Sequence, residues 1–193
     1  MEWWQRAAGG GNYRAMHNMA LAFISGANVP QDFGRAVELL QQAAAAGSVR
    51  SQYTLGKMYY YGSGLDADAD EAFRLILMAA EAGFHKAQYN VGKMYRDGDG
   101  VTEDKPEAFK WFLAAAQQGY AKAQNHAGVR FARGEGVEKD EIRALMYLIL
   151  ADRNGYTAAH QNVIDLSARM PEDLVQQAMD MARAWKPVAR LAW

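Results

Sequence analysis

The sequence contains no cysteine, and only four of its 193 residues are proline. Without cysteine the chain has no disulfide framework, no thiol nucleophile and no cysteine-ligated metal site, in a reducing or an oxidising compartment alike. Its net charge of −1 lacks the basic excess that is typical of nucleic-acid-binding proteins. No apolar run approaches the ~18 residues that a membrane span needs. We therefore expect neither a nucleic-acid partner nor a membrane span.

What the sequence does have is a period of 36 residues, visible in the glycines that open successive segments: Gly11, Gly47, Gly83, Gly119 and Gly155. A small residue follows each of these glycines by four positions, and an alanine follows the first four by 25 positions. A fixed period of this length is typical of stacked repeat arrays. The chain is therefore predicted to contain four full repeats and a C-terminal variant.

Each repeat is predicted to fold as helix, turn and helix, because apolar residues recur at a period of 3.6 on either side of a glycine-containing turn. In the third repeat this turn is 97–101, DGDGV, and Asp104 with Glu107 forms the pattern of an N-cap and its capping-box partner. The fifth repeat replaces the turn by Arg169-Met170-Pro171, which suits a closing helix. The predicted helices span 13–25, 33–46, 49–61, 69–82, 85–97, 105–118, 121–133, 141–154, 157–168 and 171–185.

A glycine also recurs inside the first helix of three repeats, at Gly56, Gly92 and Gly128. Glycine costs about 1 kcal/mol relative to alanine in a helix interior. A costly residue that recurs needs a packing reason, and we expect the paired helix to approach closely there, with Ala115 or Ala116 against Gly92.

The third repeat carries the full pattern G-x-x-x-A-x-x-x-x-G-x-x-Y-x-x-G-x-G-V-x-x-D-x-x-x-A-x-x-W-x-x-x-A-A, which resembles the Sel-one-like repeat of the tetratricopeptide superfamily. The second and fourth repeats match it nearly as well. The first repeat departs, with Gly26-Ala27-Asn28-Val29 in place of G-x-G-V. The resemblance implies an all-α fold, a right-handed α/α solenoid of 36-residue helix-turn-helix repeats, in a family whose members mostly bind other proteins.

We expect one repeat domain over residues 1–193. It comprises a partial helix at 2–10, repeats at 11–46, 47–82, 83–118 and 119–154, a capping repeat at 155–185 and a tail at 186–193. The tail is expected to pack on the last helix or to be disordered. Because the N-terminal segment corresponds to the second helix of a repeat, two localisations stay open. The protein is cytoplasmic if Met1 is the native start, and periplasmic if an export signal preceded it.

In the fold that the resemblance implies, the first helix of each repeat lines a concave groove. The positions three, six, ten and thirteen after each opening glycine are basic and tyrosine-rich in the second and third repeats. We predict partner-binding residues at Arg50, Tyr53, Lys57, Tyr60, Tyr61, Lys86, Tyr89, Lys93, Arg96 and Lys122. The alternative is an ordinary solvated face.

The turns, by contrast, collect acidic residues, at 66–71, 97–107 and 135–141. A positive groove between negative ridges is the expected charge distribution. Such a groove suits an acidic segment or surface of another protein, because tyrosine supplies stiff contact area and Lys and Arg pair with carboxylates.

No catalytic, cofactor or metal site is predicted. The acidic run 66–71 starts like a calcium loop but has Glu71 where glycine is needed. The four histidines fall at different repeat positions and never as H-x-x-x-H, so zinc is not expected. Gly62-Ser63-Gly64 does not form the G-x-S-x-G pattern of a hydrolase.

Three functions remain open at this point. The first is a non-catalytic bacterial protein-binding solenoid, in a sharper version an immunity or inhibitor protein that neutralises a secreted effector, as some members of the resembled family do. The second is an adaptor or scaffold in a cell-envelope or signalling assembly. The third is an enzyme, since some cysteine-rich relatives bind or hydrolyse β-lactams, but this chain has no cysteine and no Ser-x-x-Lys apparatus. A monomer is expected, with self-association through the ends of the solenoid as the alternative.

Overall fold

The computed structural model describes residues 10–188, which form ten α-helices and no strand. Every predicted helix in this range is present with ends within one residue of the prediction; the predicted partial helix at 2–10 and residues 189–193 lie outside the described part. None of the described helices is long and apolar enough to cross a bilayer. The helices are α1 Tyr13–Ser25, α2 Phe33–Ala45, α3 Val49–Tyr61, α4 Ala69–Glu81, α5 His85–Asp97, α6 Lys105–Gln117, α7 Ala121–Arg133, α8 Glu141–Arg153, α9 Ala158–Ser167 and α10 Glu172–Ala184.

The described chain divides into two compact units, each with its own apolar core. Among the described residues, the first unit holds 10–87 together with Asp99–Val101, and the second holds Gln88–Gly98 and 102–188. In the first unit α1 packs on α2, α2 on α3 and α3 on α4. In the second unit α6 packs on α7, and α8 contacts α7, α9 and α10.

The second helix of each full repeat begins at an aspartate, and the four aspartates recur with the 36-residue period. Each carboxylate accepts a hydrogen bond from the backbone N–H three residues later, at 2.8–3.0 Å. This bond satisfies one of the N–H groups that a helix start leaves without a partner. The four capping residues are Asp32, Asp68, Asp104 and Asp140.

The predicted capping box is formed only by half. The Asp104 N–H donates to the Tyr95 carbonyl at the end of the preceding helix, at 2.9 Å. Glu107 does not reach back to it but instead binds Lys110, with Nζ 2.9 Å from Oε1. The second repeat has the same arrangement. The cap therefore links the two helices of one repeat as well as starting the second one.

The second glycine of each turn is required by space as well as by conformation. Gly100 has φ = 66°, and a Cβ there would collide with the carbonyl of Ala69. Gly64 and Gly136 occupy the same repeat position, also at positive φ and also against the start of an earlier helix. In the first repeat Asn28 adopts φ = 64° in its place, as asparagine can with little strain. The loose match of the first repeat therefore preserves the turn conformation.

The glycines inside the first helices are confirmed as points of close approach, but the expected neighbours were wrong. A Cβ on Gly92 would lie 3.0 Å from the Phe112 ring and 3.1 Å from the Ala108 carbonyl, not against Ala115 or Ala116. Gly56 and Gly128 meet the equivalent residues of their own repeats, an aliphatic side chain and an alanine carbonyl. At each of these glycines, one large side chain and one backbone carbonyl of the second helix thus contact the first helix.

The C-terminal end of the repeat pattern is covered by α10. Eight consecutive residues of α8, from Ala144 to Ala151, are buried, because α7, α9 and α10 all pack against this helix. After α10 the chain is extended, and the Val188 N–H donates to the Gln117 carbonyl of α6 at 2.8 Å. Val188, in the predicted tail, therefore contacts α6.

Replacing Gly92 by leucine is expected to lower the free energy of unfolding by about 1–3 kcal/mol, because the new side chain overpacks the contact with Phe112. Gly34→Leu in α2 is the matched control: a Cβ there meets only the Asp32 carboxylate at an ordinary 3.5 Å. That variant should be neutral or slightly stabilising, since leucine favours helix more than glycine does. Equal stabilities of the two variants in urea denaturation would contradict the close approach.

Candidate functional site

The predicted partner-binding residues lie on the first helices of the second, third and fourth repeats, in two groups that belong to different units. The first, which we name the Lys57 patch, lies in the first unit and consists of Arg50, Tyr53, Lys57, Tyr60 and Tyr61 on α3 with Lys86 on α5. The second, the Lys93 patch, lies in the second unit and consists of Tyr89, Lys93 and Arg96 on α5 with Lys122 on α7.

In the Lys57 patch the structure places a lysine between two tyrosine rings. The ammonium nitrogen of Lys57 lies 5.9 Å from the ring centroids of both Tyr53 and Tyr61. These residues follow one another at intervals of four, so they share one face of α3. Tyr61 is 67% exposed and packs edge-on against Tyr60, with centroids 5.0 Å apart. Lys57 forms no ion pair with any residue that the structure describes, so its charge is available to a partner.

Most acidic residues of the turns are, by contrast, already engaged within the chain. Four aspartates cap helices, and Asp99 accepts a hydrogen bond from the Tyr60 hydroxyl at 2.7 Å in the first unit. Glu71 binds Arg74 and Asp97 binds Arg96, each through two hydrogen bonds. The Arg96 contact holds the pKa of the Asp97 carboxyl below its usual range. The acidic turns thus stabilise the fold locally.

In the Lys93 patch the tyrosine is part of an aromatic cluster. The half-buried Tyr89 ring packs edge-on against Phe112, Tyr120 and His126, with centroids 5.3–5.7 Å apart. Burial raises the pKa of the Tyr89 and Tyr120 hydroxyls. Tyr89 therefore packs against the core, and only part of its ring is exposed on this face. Arg50, Lys86 and Lys122 are exposed at the first turns of their helices.

The histidine of this cluster is held neutral. The His126 ring stacks on Phe112 with centroids 4.7 Å apart and planes inclined by 10°. Burial, together with the nearby Arg130 guanidinium, lowers the pKa of His126 to about 4. The Nδ1 atom lies 3.3 Å from Arg130 Nη1, which can only donate, so Nδ1 accepts and the proton of the neutral ring is on Nε2.

Arg130 is a residue of this face that the repeat pattern did not single out. It stands eleven positions after the opening glycine, where the earlier repeats have the buried apolar residues Ala22, Met58 and Met94. The side chain is nonetheless only 5% exposed, with its guanidinium carbon 4.5 Å from the Phe112 ring centroid. Comparison of the repeats position by position, rather than of the groove positions alone, would have found it.

An open cavity of about 370 Å³ lies beside this face in the second unit, among α7, α8 and α9. Val129 and Ala132, which are groove positions of the fourth repeat, line one wall of it. Cations and carboxylates share the other walls; Lys139, for example, lies 2.7 Å from Glu141. The cavity is therefore a depression beside this face with little net charge of its own.

A helical fold of paired helices, capped and closed at a 36-residue period, defines the chain as an α/α solenoid repeat protein. The family model described as Sel1 repeat matches residues 1–12, 14–48, 49–84, 85–120 and 121–156. The chain belongs to the Sel1 repeat family, a family of generally non-catalytic, protein-binding scaffolds.

Three solved structures show the extent of the similarity. A Sel1 repeat protein from Oxalobacter formigenes is 28% identical with a TM-score of 0.81, over 94% of this chain and 77% of that one. The protein c5321, a protective antigen of uropathogenic Escherichia coli strains with an SLR fold, is 27% identical with a TM-score of 0.86. The alignment covers 95% of this chain but only 40% of c5321.

The immunity protein Pa5087 from Pseudomonas aeruginosa is 23% identical with a TM-score of 0.55, over 94% of this chain and 72% of that protein. At this identity the likeness shows the fold. No curated protein sequence matches the chain significantly.

The lowered pKa of His126 predicts a dependence of stability on pH. Because the folded pKa of about 4 lies below the ordinary value of 6.5, the unfolded chain binds more protons between these values. Stability contributed by neutral His126 is therefore present above pH 6.5 and is lost as the pH falls toward 4, by about 2–3 kcal/mol. His126→Asn, the residue found at this repeat position in Asn18 and Asn90, should lose less stability between pH 7 and 4.5 than the wild type.

Urea denaturation of both proteins at each pH measures this difference. His160→Asn, at a histidine whose side chain is 67% exposed, is the control and should retain the wild-type pH dependence. Parallel pH profiles of the wild type and His126→Asn would contradict a buried neutral ring.

Proposed function

We propose that this chain is a non-catalytic scaffold that binds a partner protein through the Lys57 patch and the Lys93 patch, and that the partner presents an acidic surface or segment to them. Membership in the Sel1 repeat family supports the protein-binding role. The charge of the two patches supports the acidic nature of the partner.

The observation that carries the proposal is the state of Lys57. Its ammonium group lies between two tyrosine rings, it is exposed, and it has no carboxylate partner among the described residues, although the neighbouring turns are rich in acid. Tyrosine is enriched among the residues that dominate protein interfaces, and an unneutralised lysine beside it provides charge complementarity to an acidic partner. A carboxylate brought by a partner would pair with Lys57 without disturbing any ion pair of the free protein.

A finer proposal is that the partner is a secreted toxic effector and that this chain is its immunity protein. The name of Pa5087, an immunity protein with the same fold, supports this proposal together with the resemblance seen in the sequence. An adaptor of a cell-envelope or signalling assembly is the alternative. A tight one-to-one complex with an effector encoded beside this chain supports immunity, whereas weak binding to several proteins supports an adaptor.

The test is affinity capture from lysate and secreted fraction of the source organism, followed by titration of the captured partner at two salt concentrations. Lys57→Glu/Lys93→Glu is expected to weaken binding at least tenfold, and wild-type binding should weaken as salt rises, because exposed charge pairs are screened. Lys105→Glu/Lys110→Glu on α6 makes the same change of charge outside both patches and should bind like the wild type.

If the patch variant and the α6 variant bind the partner equally well, the partner contacts another surface, and the two patches are solvated faces.

A further inference from the structure

Arg130 places a positive charge where the repeat calls for an apolar side chain. The three equivalent residues of the earlier repeats are 3–8% exposed, and Arg130 at 5% is buried to the same degree. A guanidinium withdrawn from water is unfavourable unless it is paired. A buried methionine at this position needs no partner, but a buried guanidinium needs a negative group to pair with.

The contacts of Arg130 within the chain leave its charge without a counter-ion. Its Nη1 atom bonds the His126 ring nitrogen at 3.3 Å and, weakly, the His126 carbonyl at 3.5 Å, and its guanidinium lies over Phe112. None of these groups is negative, because His126 is neutral and protonated on Nε2. No carboxylate among the described residues forms an ion pair with Arg130.

The two carboxylates that act on Arg130 through space are engaged elsewhere. Asp97 binds Arg96 through both of its oxygens, and Glu135 lies 3.4 Å from Arg133. Arg96, Arg133 and Lys93 surround the same region, since they influence the ionisation of Arg130 or of His126. The second unit therefore gathers four cationic side chains around two carboxylates, an excess of positive charge.

One edge of the buried Arg130 guanidinium has no partner within the described chain. The Nε and Nη2 atoms have no hydrogen-bond partner among the described residues. Arg130 as a whole is 5% exposed, and neither of these nitrogens is among the completely enclosed, unpartnered side-chain atoms of the described residues. The Nε–H and Nη2–H pair is one of the edges with which arginine binds a carboxylate through two parallel hydrogen bonds.

We propose that Arg130 is a carboxylate-binding site, which receives the side chain of an aspartate or glutamate of the partner protein through its Nε and Nη2 atoms, with the nearby Lys93 adding to the attraction. The inference rests on the proposed function and names one anchoring contact for it. A largely buried guanidinium already oriented by Phe112 and His126 loses little further hydration or mobility when the carboxylate arrives.

The experiment uses the full chain and a fluorescein-labelled twelve-residue peptide rich in glutamate, with the glutamine-substituted peptide as control, measured by fluorescence anisotropy at low ionic strength. The wild type is expected to bind the glutamate peptide at least tenfold more tightly than the glutamine peptide. Arg130→Met should lose most of this preference, and Arg130→Lys should lose part of it, because lysine keeps the charge but not the two-bond geometry.

A second measurement separates binding from folding. Arg130→Met installs the residue found at this position in the second and third repeats, so its thermal midpoint should equal or exceed that of the wild type. Arg153→Met, at an exposed arginine of α8, makes the same change of charge and should keep the peptide preference.

The results that overturn the inference are distinct from those that overturn the proposed function. If Arg130→Met binds like the wild type while Lys57→Glu/Lys93→Glu does not, the patches bind acid and Arg130 does not. An Arg130→Met variant that melts several degrees lower would make Arg130 a packing residue. Displacement by inorganic phosphate, but not by acetate at equal ionic strength, would assign the site to a different anion. A wild type that binds both peptides equally would remove both proposals.

Discussion

The close approach of the two helices of a repeat at a glycine is the constraint on which the rest of the fold depends. Where Gly92 lacks a Cβ, the backbone of α6 and the Phe112 ring come within van der Waals distance of α5. The same contact recurs at Gly56 and Gly128, and in the first repeat the fully buried Ala20 takes that position. Because the contact fixes the distance between paired helices, it also fixes which residues of the first helix stay on its open side.

The contact ends where the repeat pattern ends. In the fifth repeat Ile164 occupies the position of the glycine, and it is 47% exposed. A branched side chain there would obstruct a closely paired helix, and α10, which starts after Pro171, packs on α8 instead. The burial of α8 on all sides follows from this change of partner. The change at the periodic position and the replacement of the turn by Arg169-Met170-Pro171 thus accompany the closing of the array.

The helices and turns of the full repeats could be predicted because their signals are local and periodic: an aspartate before each second helix, glycine in the turns, and a constant spacing between them. Contacts between helices could not be predicted in detail, since spacing does not say which atom lies opposite Gly92, or that the Asp104 N–H is taken by Tyr95 rather than Glu107. The predicted site residues were found on the expected helices, but the half-burial of Tyr89 depends on rings from three segments. Arg130 could not be predicted as a site residue, because its repeat position carries a buried apolar residue in the first three repeats.

The net charge of −1 conceals an asymmetry that matters for binding. Aspartates at helix starts accept hydrogen bonds from backbone N–H groups, and Glu71 and Glu107, one turn later, pair with cations of their own helices. Lys57 has no such partner among the described residues, and Arg130 is supported only by neutral rings and a carbonyl. Many acidic side chains are thus engaged at helix starts, whereas Lys57 and Arg130 have no counter-ion among the described residues. Such a chain can attract an acidic partner while its net charge remains close to zero.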